Sequence, residues 1–420
     1  MDSHSRPVKA GDHVFLVDGS SFVFRAYFQS INQDRKYNTR GDGLPTGAVR
    51  LFSTKLLQFI REGVLGIKPT HLAIIFDKSE DSFRKALYPD YKANRNDPPE
   101  ELIPQFPLMR EAVRAFGLIP IEQDRYEADD LIATYAKQAR ERGADALIVS
   151  ADKDLMQLVN DCVAFYDFES GVRGKPGYRP ERILAHGRNL ARWGVPEDRI
   201  GDVSEKWEGM PPSKLVDIQA LTGDATDNVP GAPGIGLKTA AQLISEYGDL
   251  DSLLARAGEI KQPKRRETLT NPEIVQRILI SRQLVKLVDD VALDTPLDAL
   301  DLREPEPRRL IGFLKAMDFT TITRRVAELY AIDTAAIEPD ARLTGPGGWL
   351  GRDGAPLAPP AGAAASGDPA LAARRLPLLP SSRQRRRRQS LRTARSRRKT
   401  SWPRARARTA ARSTRRSMNA

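Results

Sequence analysis

Val14-Phe15-Leu16-Val17-Asp18 is a short apolar run closed by a carboxylate, and the chain uses that pattern again. His71 to Phe76 ends at Asp77, and Ala146 to Val149 leads through Ser150 and Ala151 to Asp152. Runs of this length are too short for a helix, and their unbroken apolar character fits strands buried on both faces. Between them, Val49 to Ile60, Leu108 to Phe116 and Leu131 to Arg140 place apolar residues at helical spacing. Strands alternating with helices predict an α/β domain with a mostly parallel central sheet over residues 1–211. From Pro212 to Ile332 the pattern is almost wholly helical, with Gly and Pro punctuation, and predicts a second, helical subdomain over 212–332. Residues 333–420 turn to Ala, Gly, Pro, Ser and Arg without apolar periodicity, which predicts a low-complexity linker and a disordered basic tail.

The charge distribution sharpens this division. The net charge is +11, yet residues 371–420 hold 18 Arg and Lys and no acid. Removing them leaves 48 basic against 55 acidic residues, so the first 370 residues carry −7. The tail reads either as a solvated polyelectrolyte or as a nucleic-acid arm, and any DNA-binding face of the body must be a local patch. No apolar run is long enough to cross a bilayer, the N-terminus lacks a secretory signal, and a cytoplasmic protein is expected. The single cysteine, Cys162, allows no internal disulfide, and a buried structural thiol beside a strand is expected there. His4, His13, His71 and His186 are scattered, which argues against zinc; His71 opens a strand and reads as structural.

The acids carry the chemical signal. In an open parallel sheet, ligands bind outside the carboxyl ends of the strands, so Asp18, Asp77, Asp152 and Asp154 should converge on one rim. Glu127-Ala128-Asp129-Asp130 sits where the next helix should start, and acids there also favour the helix dipole. Asp224 and Asp227 are three apart, which on a helical turn puts both carboxylates on one side. Clustered carboxylates repel one another unless cations hold them, and the hard ions Mg²⁺ and Mn²⁺ prefer such oxygen ligands. Two cation positions of this kind could support in-line attack of water on a phosphodiester.

Ser82-Phe83-Arg84-Lys85-Ala86-Leu87-Tyr88-Pro89-Asp90-Tyr91-Lys92-Ala93-Asn94-Arg95 mixes cations with aromatic rings, a composition suited to single-stranded nucleic acid. Gly234-Ile235-Gly236-Leu237-Lys238 precedes a helix, and its glycines let the backbone approach a phosphate while Lys238 adds a cation.

Leu16-Val17-Asp18-Gly19, Phe76-Asp77, Tyr126-Glu127-Ala128-Asp129-Asp130, Ser150-Ala151-Asp152-Lys153-Asp154 and Gly223-Asp224-Ala225-Thr226-Asp227-Asn228 come in an order that resembles the flap endonuclease/5′-3′ exonuclease family. The resemblance runs from about Val14 to about Tyr330 and is strongest to the N-terminal nuclease domains of bacterial DNA polymerase I. It implies a PIN-like 5′-nuclease sheet followed by a helix–hairpin–helix subdomain. It implies that Asp18, Asp77, Glu127, Asp129 and Asp130 serve the metal position tied most directly to catalysis, and that Asp152, Asp154, Asp224 and Asp227 complete a second. By the same resemblance, residues 78–100 form a helical arch from which Arg84 and Lys92 reach the scissile phosphate. Tyr91 would stack on a base, with Arg95 in the same DNA-contacting stretch. Arg25 and Tyr27 would lie near the substrate end, and Gly234, Gly236 and Lys238 would hold the duplex.

The expected activity is hydrolysis of branched or 5′-flap DNA with two Mg²⁺ or Mn²⁺ ions, in replication and repair, by a monomer associated with the nucleoid. A non-catalytic DNA-binding module and an acidic-cluster RNA nuclease are the alternatives. No sequence for nucleotide addition is present in the 420 residues, so polymerase activity is not expected. The stretch from Gly171 to Pro212 is longer than the family usually carries, with Trp193-Gly194-Val195-Pro196 loosely echoed by Trp207-Glu208-Gly209-Met210-Pro211.

Overall fold

The computed structural model describes residues 6–170, 176, 178–186 and 193–344. The first apolar run forms β1 (His13–Asp18), and its closing acid caps α1 (Gly19–Ser30) by accepting the Ser21 amide. There follow α2 (Gly47–Arg61), β2 (His71–Ile75), α3 (Phe83–Leu87), α4 (Gln105–Ala115) and β3 (Pro120–Ile121). Next come α5 (Ala128–Glu141), β4 (Asp145–Val149), β5 (Val163–Asp167), β6 (Arg182–Ala185) and β7 (Ile200–Asp202). The seven-stranded sheet has the order β3-β2-β1-β4-β5-β6-β7. All neighbours run parallel except β5 and β6. The expected α/β class and mostly parallel sheet are therefore present.

Strand alternation divides the interior between the two faces. Phe15, Val17, Leu72, Ile74, Leu147 and Val149 join one apolar core, whereas Val14, Leu16, Ala73, Ile75, Ala146 and Ile148 join the other. Side chains of α1, α2 and α4 fill the first core, and α5 covers the second. Both faces are thus sealed, which is why these strands read as continuous apolar runs.

The helices after residue 212 are α6 (Leu215–Thr222), α7 (Leu237–Tyr247), α8 (Leu250–Ala255), α9 (Pro263–Thr270), α10 (Pro272–Val285), α11 (Pro307–Ala316) and α12 (Thr320–Tyr330). They supply the helical subdomain expected to follow the sheet, and the described residues all fall within one compact unit. Helices α6 to α10 extend the core under α5, while Leu310, Phe313, Ile322 and Val326 of α11 and α12 return to the α1–α2–α4 face.

Two further expectations, the start of disorder and the burial of Cys162, are corrected. Disorder does not begin at 333: Ile337 and Leu343 are buried in the first core, and Arg40 Nη1 donates to the Leu343 and Ala316 carbonyls at 2.7 and 2.9 Å. Residues 345–420, with the basic tail, lie outside the described residues. The Gly171 to Pro212 stretch, where described, adds β6 and β7 to the sheet, and its two tryptophans are buried in opposite cores. Cys162 is half-buried in the turn before β5, not sealed in the strand. His71 is buried and structural, its two ring nitrogens lying 2.9 Å from Thr70 Oγ1 and 3.0 Å from the Arg6 carbonyl. No helix among the described residues is long and apolar enough to cross a membrane.

Candidate active site at the carboxyl rim of the sheet

Asp18 ends β1, Asp77 follows β2, Asp152 follows β4, and Asp129 lies in the first turn of α5. The parallel order β2-β1-β4 places the three strand ends side by side. Serines stitch the rim together. Ser150 Oγ donates to Asp18 Oδ2 at 2.6 Å, Ser20 Oγ accepts the Asp77 amide, and Ser21 Oγ accepts the Ala151 amide. These hydroxyls were not among the expected site residues, although Ser20-Ser21 directly after Asp18 is a legible signal.

No Lys or Arg pairs with Asp18, Asp77, Asp129 or Asp152 among the described residues. Ionisation of Asp18, Asp129 and Asp152 is disfavoured. Burial pushes Asp18 up to about 7, with Asp77 and Asp152 adding to the rise against the Ser150 and Ser21 hydrogen bonds. Burial, Asp152 and Asp18 hold Asp129 well above the usual carboxylate range, and burial raises Asp152. A cluster kept anionic at neutral pH needs a cation, and an all-oxygen donor set fits a hard divalent ion. No three carboxylate, imidazole or thiol groups among the described residues close a direct cage.

The other five expected ligands already have cations. Asp130 is sealed, and Arg84 meets it with two 2.7 Å hydrogen bonds while the Glu127 and Val288 amides take its remaining acceptor directions. The expected ligand role of Asp130 is corrected accordingly: no lone pair faces the rim. Glu127 forms a capping box with Asp130 and accepts from Ser82, Tyr91 and Lys92. Burial alone would raise Glu127, but Lys92 and Arg84 outweigh it and hold it below its ordinary value. Lys153 lies 2.6 Å from Asp224 Oδ2 and 3.1 Å from Asp154 Oδ1. Burial and Asp152 nevertheless push Asp154 up to about 6, while Lys153 overcomes burial at Asp224 and lowers it. Asp227 pairs with Arg95, and Lys92 stands 3.9 Å away. Asp224 and Asp227 do not share a helical turn. They lie in a turn closed by the Asp224–Val229 bridge, beyond the end of α6 at Gly223.

The arch segment also differs from expectation. Only Phe83–Leu87 is helical, and the following turns fold down onto the Asp224–Asp227 turn. The Lys92 amide donates to the Asp227 carbonyl at 2.9 Å, and Asn94 donates to the Ala225 carbonyl at 2.6 Å. Lys92 adopts φ 57°, a left-handed conformation held by these contacts, with its ammonium 3.0 Å from Glu127. Arg84 is only 1% exposed and donates further to the Leu284 carbonyl, so it has no path to a substrate phosphate. Tyr91 is buried with its hydroxyl on Glu127, and Tyr27 is buried in the core. Neither ring offers a stacking face. The exposed ring next to Tyr27 is Phe28, 55% exposed. The α1 register, with Phe22, Val23, Ala26 and Tyr27 inside, is the signal that separates the two. Arg25 stays half-buried, its guanidinium 4.3 Å over the Phe168 ring. Gly234 at φ 75° and Gly236, the N-cap of α7, are exposed together with Lys238, so this helix start faces solvent.

The model of the 5′-3′ exonuclease N-terminal resolvase-like domain matches residues 13–186, and that of the 5′-3′ exonuclease C-terminal SAM fold matches 210–308. DNA polymerase I of Rhizobium leguminosarum is 55% identical over 340 residues, covering 80% of this chain and 30% of that protein. DNA polymerase I of Bacillus caldotenax is 32% identical over 313 residues, covering 74% and 32% respectively. The chain thus spans about a third of the length of these curated relatives. Among solved structures, T5 5′-exonuclease with bound zinc aligns at a TM-score of 0.49 and 18% identity, covering 75% of this chain and 98% of that one.

Proposed function

This chain belongs to the 5′-3′ exonuclease family, and on that premise we propose that it hydrolyses DNA phosphodiesters as a divalent-metal-dependent 5′-nuclease. The observation that carries the reading is the group Asp18, Asp77, Asp129 and Asp152. Three acids at the strand ends and one in the first turn of α5 meet without a pairing cation among the described residues, and burial together with their acidic neighbours disfavours the charge of Asp18 and Asp129. Such a group costs stability unless a cation fills it.

Bound Mg²⁺ or Mn²⁺ would polarise the phosphoryl oxygens and make water a stronger nucleophile at neutral pH. The chain's own residues do the rest. Asp18, Asp77, Asp129 and Asp152 hold the first ion position, with Ser150 orienting Asp18. Asp154, Asp224 and Asp227 offer a second position. Glu127 orients Lys92 through their 3.0 Å ion pair, and Lys92 supplies positive charge where the phosphate becomes more negative. Arg95 lies on the same segment and holds Asp227. Gly234, Gly236, Lys238 and the start of α7 bind duplex phosphates, which positions the substrate without reading its sequence. Arg25 contacts the substrate from its place beside Phe168. A 5′-flap or otherwise branched DNA, met in replication and repair by a cytoplasmic monomer, is the substrate this arrangement fits.

The test is incubation of the full chain with a 5′-flap DNA duplex and an all-RNA equivalent, in Mg²⁺ and in EDTA. DNA cleavage with Mg²⁺ and none with EDTA is expected. Equal cutting in EDTA overturns the metal dependence, and preferential RNA cleavage replaces the reading by an RNA nuclease. Tight DNA binding without cleavage leaves a non-catalytic module.

A further inference from the structure

Asp154 and Asp224 share one partner, and it comes from the acidic motif itself. Lys153 stands between Asp152 and Asp154 at the start of the Lys153–Leu158 3₁₀ turn, and its ammonium bridges Asp154 Oδ1 at 3.1 Å and Asp224 Oδ2 at 2.6 Å. Gln219 Nε2 also donates to Asp154 Oδ1 at 2.6 Å, and the Thr226 amide donates to Asp224 Oδ1 at 2.7 Å. Both carboxylates are thereby aimed at a common point, and the ammonium occupies it.

We propose that Lys153 is an internal counter-ion that fills the second cation position and must be displaced before a divalent ion can enter. This rests on the metal reading above and adds an order to it. The Asp18–Asp77–Asp129–Asp152 group has no pairing Lys or Arg among the described residues, so it fills first. The Asp154–Asp224 position fills second, and less tightly.

Three features support displacement rather than a permanent ion pair. The Lys153 side chain is 53% exposed, unlike the sealed Arg84, so it can leave without unfolding anything. It borders an open cavity of about 670 Å³ lined also by Arg25, Lys206 and Trp207, which gives the ammonium room to move. The Trp207 ring, 5.9 Å from the ammonium, offers a cation a face beside its present place. An ammonium and a divalent ion cannot both lie between the same two carboxylates, because like charges at that separation repel strongly. The apparent affinity for the second ion is then reduced by the fraction of molecules in which Lys153 is already displaced.

Mn²⁺ titrated calorimetrically into the metal-free full chain tests this. Wild type should show a tight and a weak class of site. Lys153→Met should tighten the weak class about tenfold, the factor expected if Lys153 is displaced in roughly a tenth of molecules, and leave the tight class unchanged. Lys153→Arg, which keeps the charge, should retain weak binding. In EDTA at neutral pH, Lys153→Met should melt lower than wild type and recover with Mn²⁺. Lys153→Gln, which keeps hydrogen bonding to the acids, carries the same expectation for the weak class should the Met variant fail to fold. An unchanged weak class in both neutral variants overturns the proposal while leaving the metal reading standing. Absence of any Mn²⁺ binding by wild type overturns that reading itself, and this one with it.

Discussion

Arg84 and Asp130 meet edge to edge, Nη1 on Oδ2 and Nη2 on Oδ1, both at 2.7 Å, in a pair closed off from solvent. The same guanidinium reaches the Leu284 carbonyl through Nε and the Lys286 carbonyl through Nη2. One side chain therefore ties the base of the arch segment, the start of α5 and the end of α10. Arg84→Ala would leave Asp130 buried and unpaired, so a loss of about 3–5 kcal/mol is expected in urea unfolding. Arg84→Lys cannot reproduce the fork and should recover only part of it. If Arg84 instead served the scissile phosphate, Arg84→Lys would keep full stability and lose only turnover.

The rim acids set a pH dependence of opposite sign to that of paired carboxylates. Asp18 has its folded-state value raised to about 7 by burial and its acidic neighbours. A raised carboxyl contributes its stability fully below the unfolded value, and that stability is lost as pH rises through the folded value. Metal-free protein should therefore lose the Asp18 contribution between about pH 4 and pH 7. Asp18→Asn keeps an acceptor for the Ser21 amide and removes the charge. It should stabilise the metal-free chain at pH 8 by on the order of 2–4 kcal/mol, give no gain at pH 4, and abolish cleavage. Mg²⁺ should raise the melting temperature of wild type at pH 8 more than that of the variant. An equal rise in both would mean that Asp18 holds no ion.

Gly223 and Gly231 approach so closely that a Cβ on Gly231 would lie 2.4 Å from the Gly223 nitrogen, and both residues have positive φ, 66° and 56°. This contact closes the turn that presents Asp224 and Asp227. Gly231→Ala combines a left-handed backbone with a clash against backbone that cannot move aside, for an expected loss of roughly 2–4 kcal/mol. Cleavage should fall further than folding alone explains, because the arch segment is bonded to the same turn through Lys92 and Asn94. Thermal melting and cleavage at a temperature where the variant is fully folded separate the two effects.

The acids at the strand ends were legible because an apolar run stopping at a carboxylate is a local pattern, and the sheet order needs only that pattern repeated. Arg84 was not legible. Its aromatic and cationic neighbours in sequence fit a DNA contact, and its burial rests on partners far along the chain, Asp130 and the Leu284 carbonyl 200 residues away. Tyr27 was misread for a smaller reason, a one-residue error of helix face that exchanges it with Phe28. Strands β6 and β7, four and three residues long, are too short for alternation to stand out. Lys153 sat inside a recognised acidic motif, where the acids drew the reading and the cation between them did not.

The segment after α12 gives the last expectation. Composition places residues 333–344 with the low-complexity tail, yet Ile337 and Leu343 are buried against the α1–α2–α4 face. Lys315 Nζ donates to the Thr334 carbonyl at 3.1 Å and also bonds the Ile337 carbonyl, while Arg342 lies 3.1 Å from Glu111. Arg40, 7% exposed, has Nη1 on the Leu343 and Ala316 carbonyls. Truncation after Ile332 would remove two buried aliphatic side chains and leave Arg40 and Lys315 short of acceptors. The aliphatic loss alone is worth about 3–6 kcal/mol by area, before the polar groups are counted. Truncation after Thr344 removes none of these contacts. Chains ending at 332 and at 344 should therefore differ in urea midpoint, with the shorter one less stable by several degrees in melting as well. Equal stability would mean that the body ends with α12 and that the composition had located the boundary correctly.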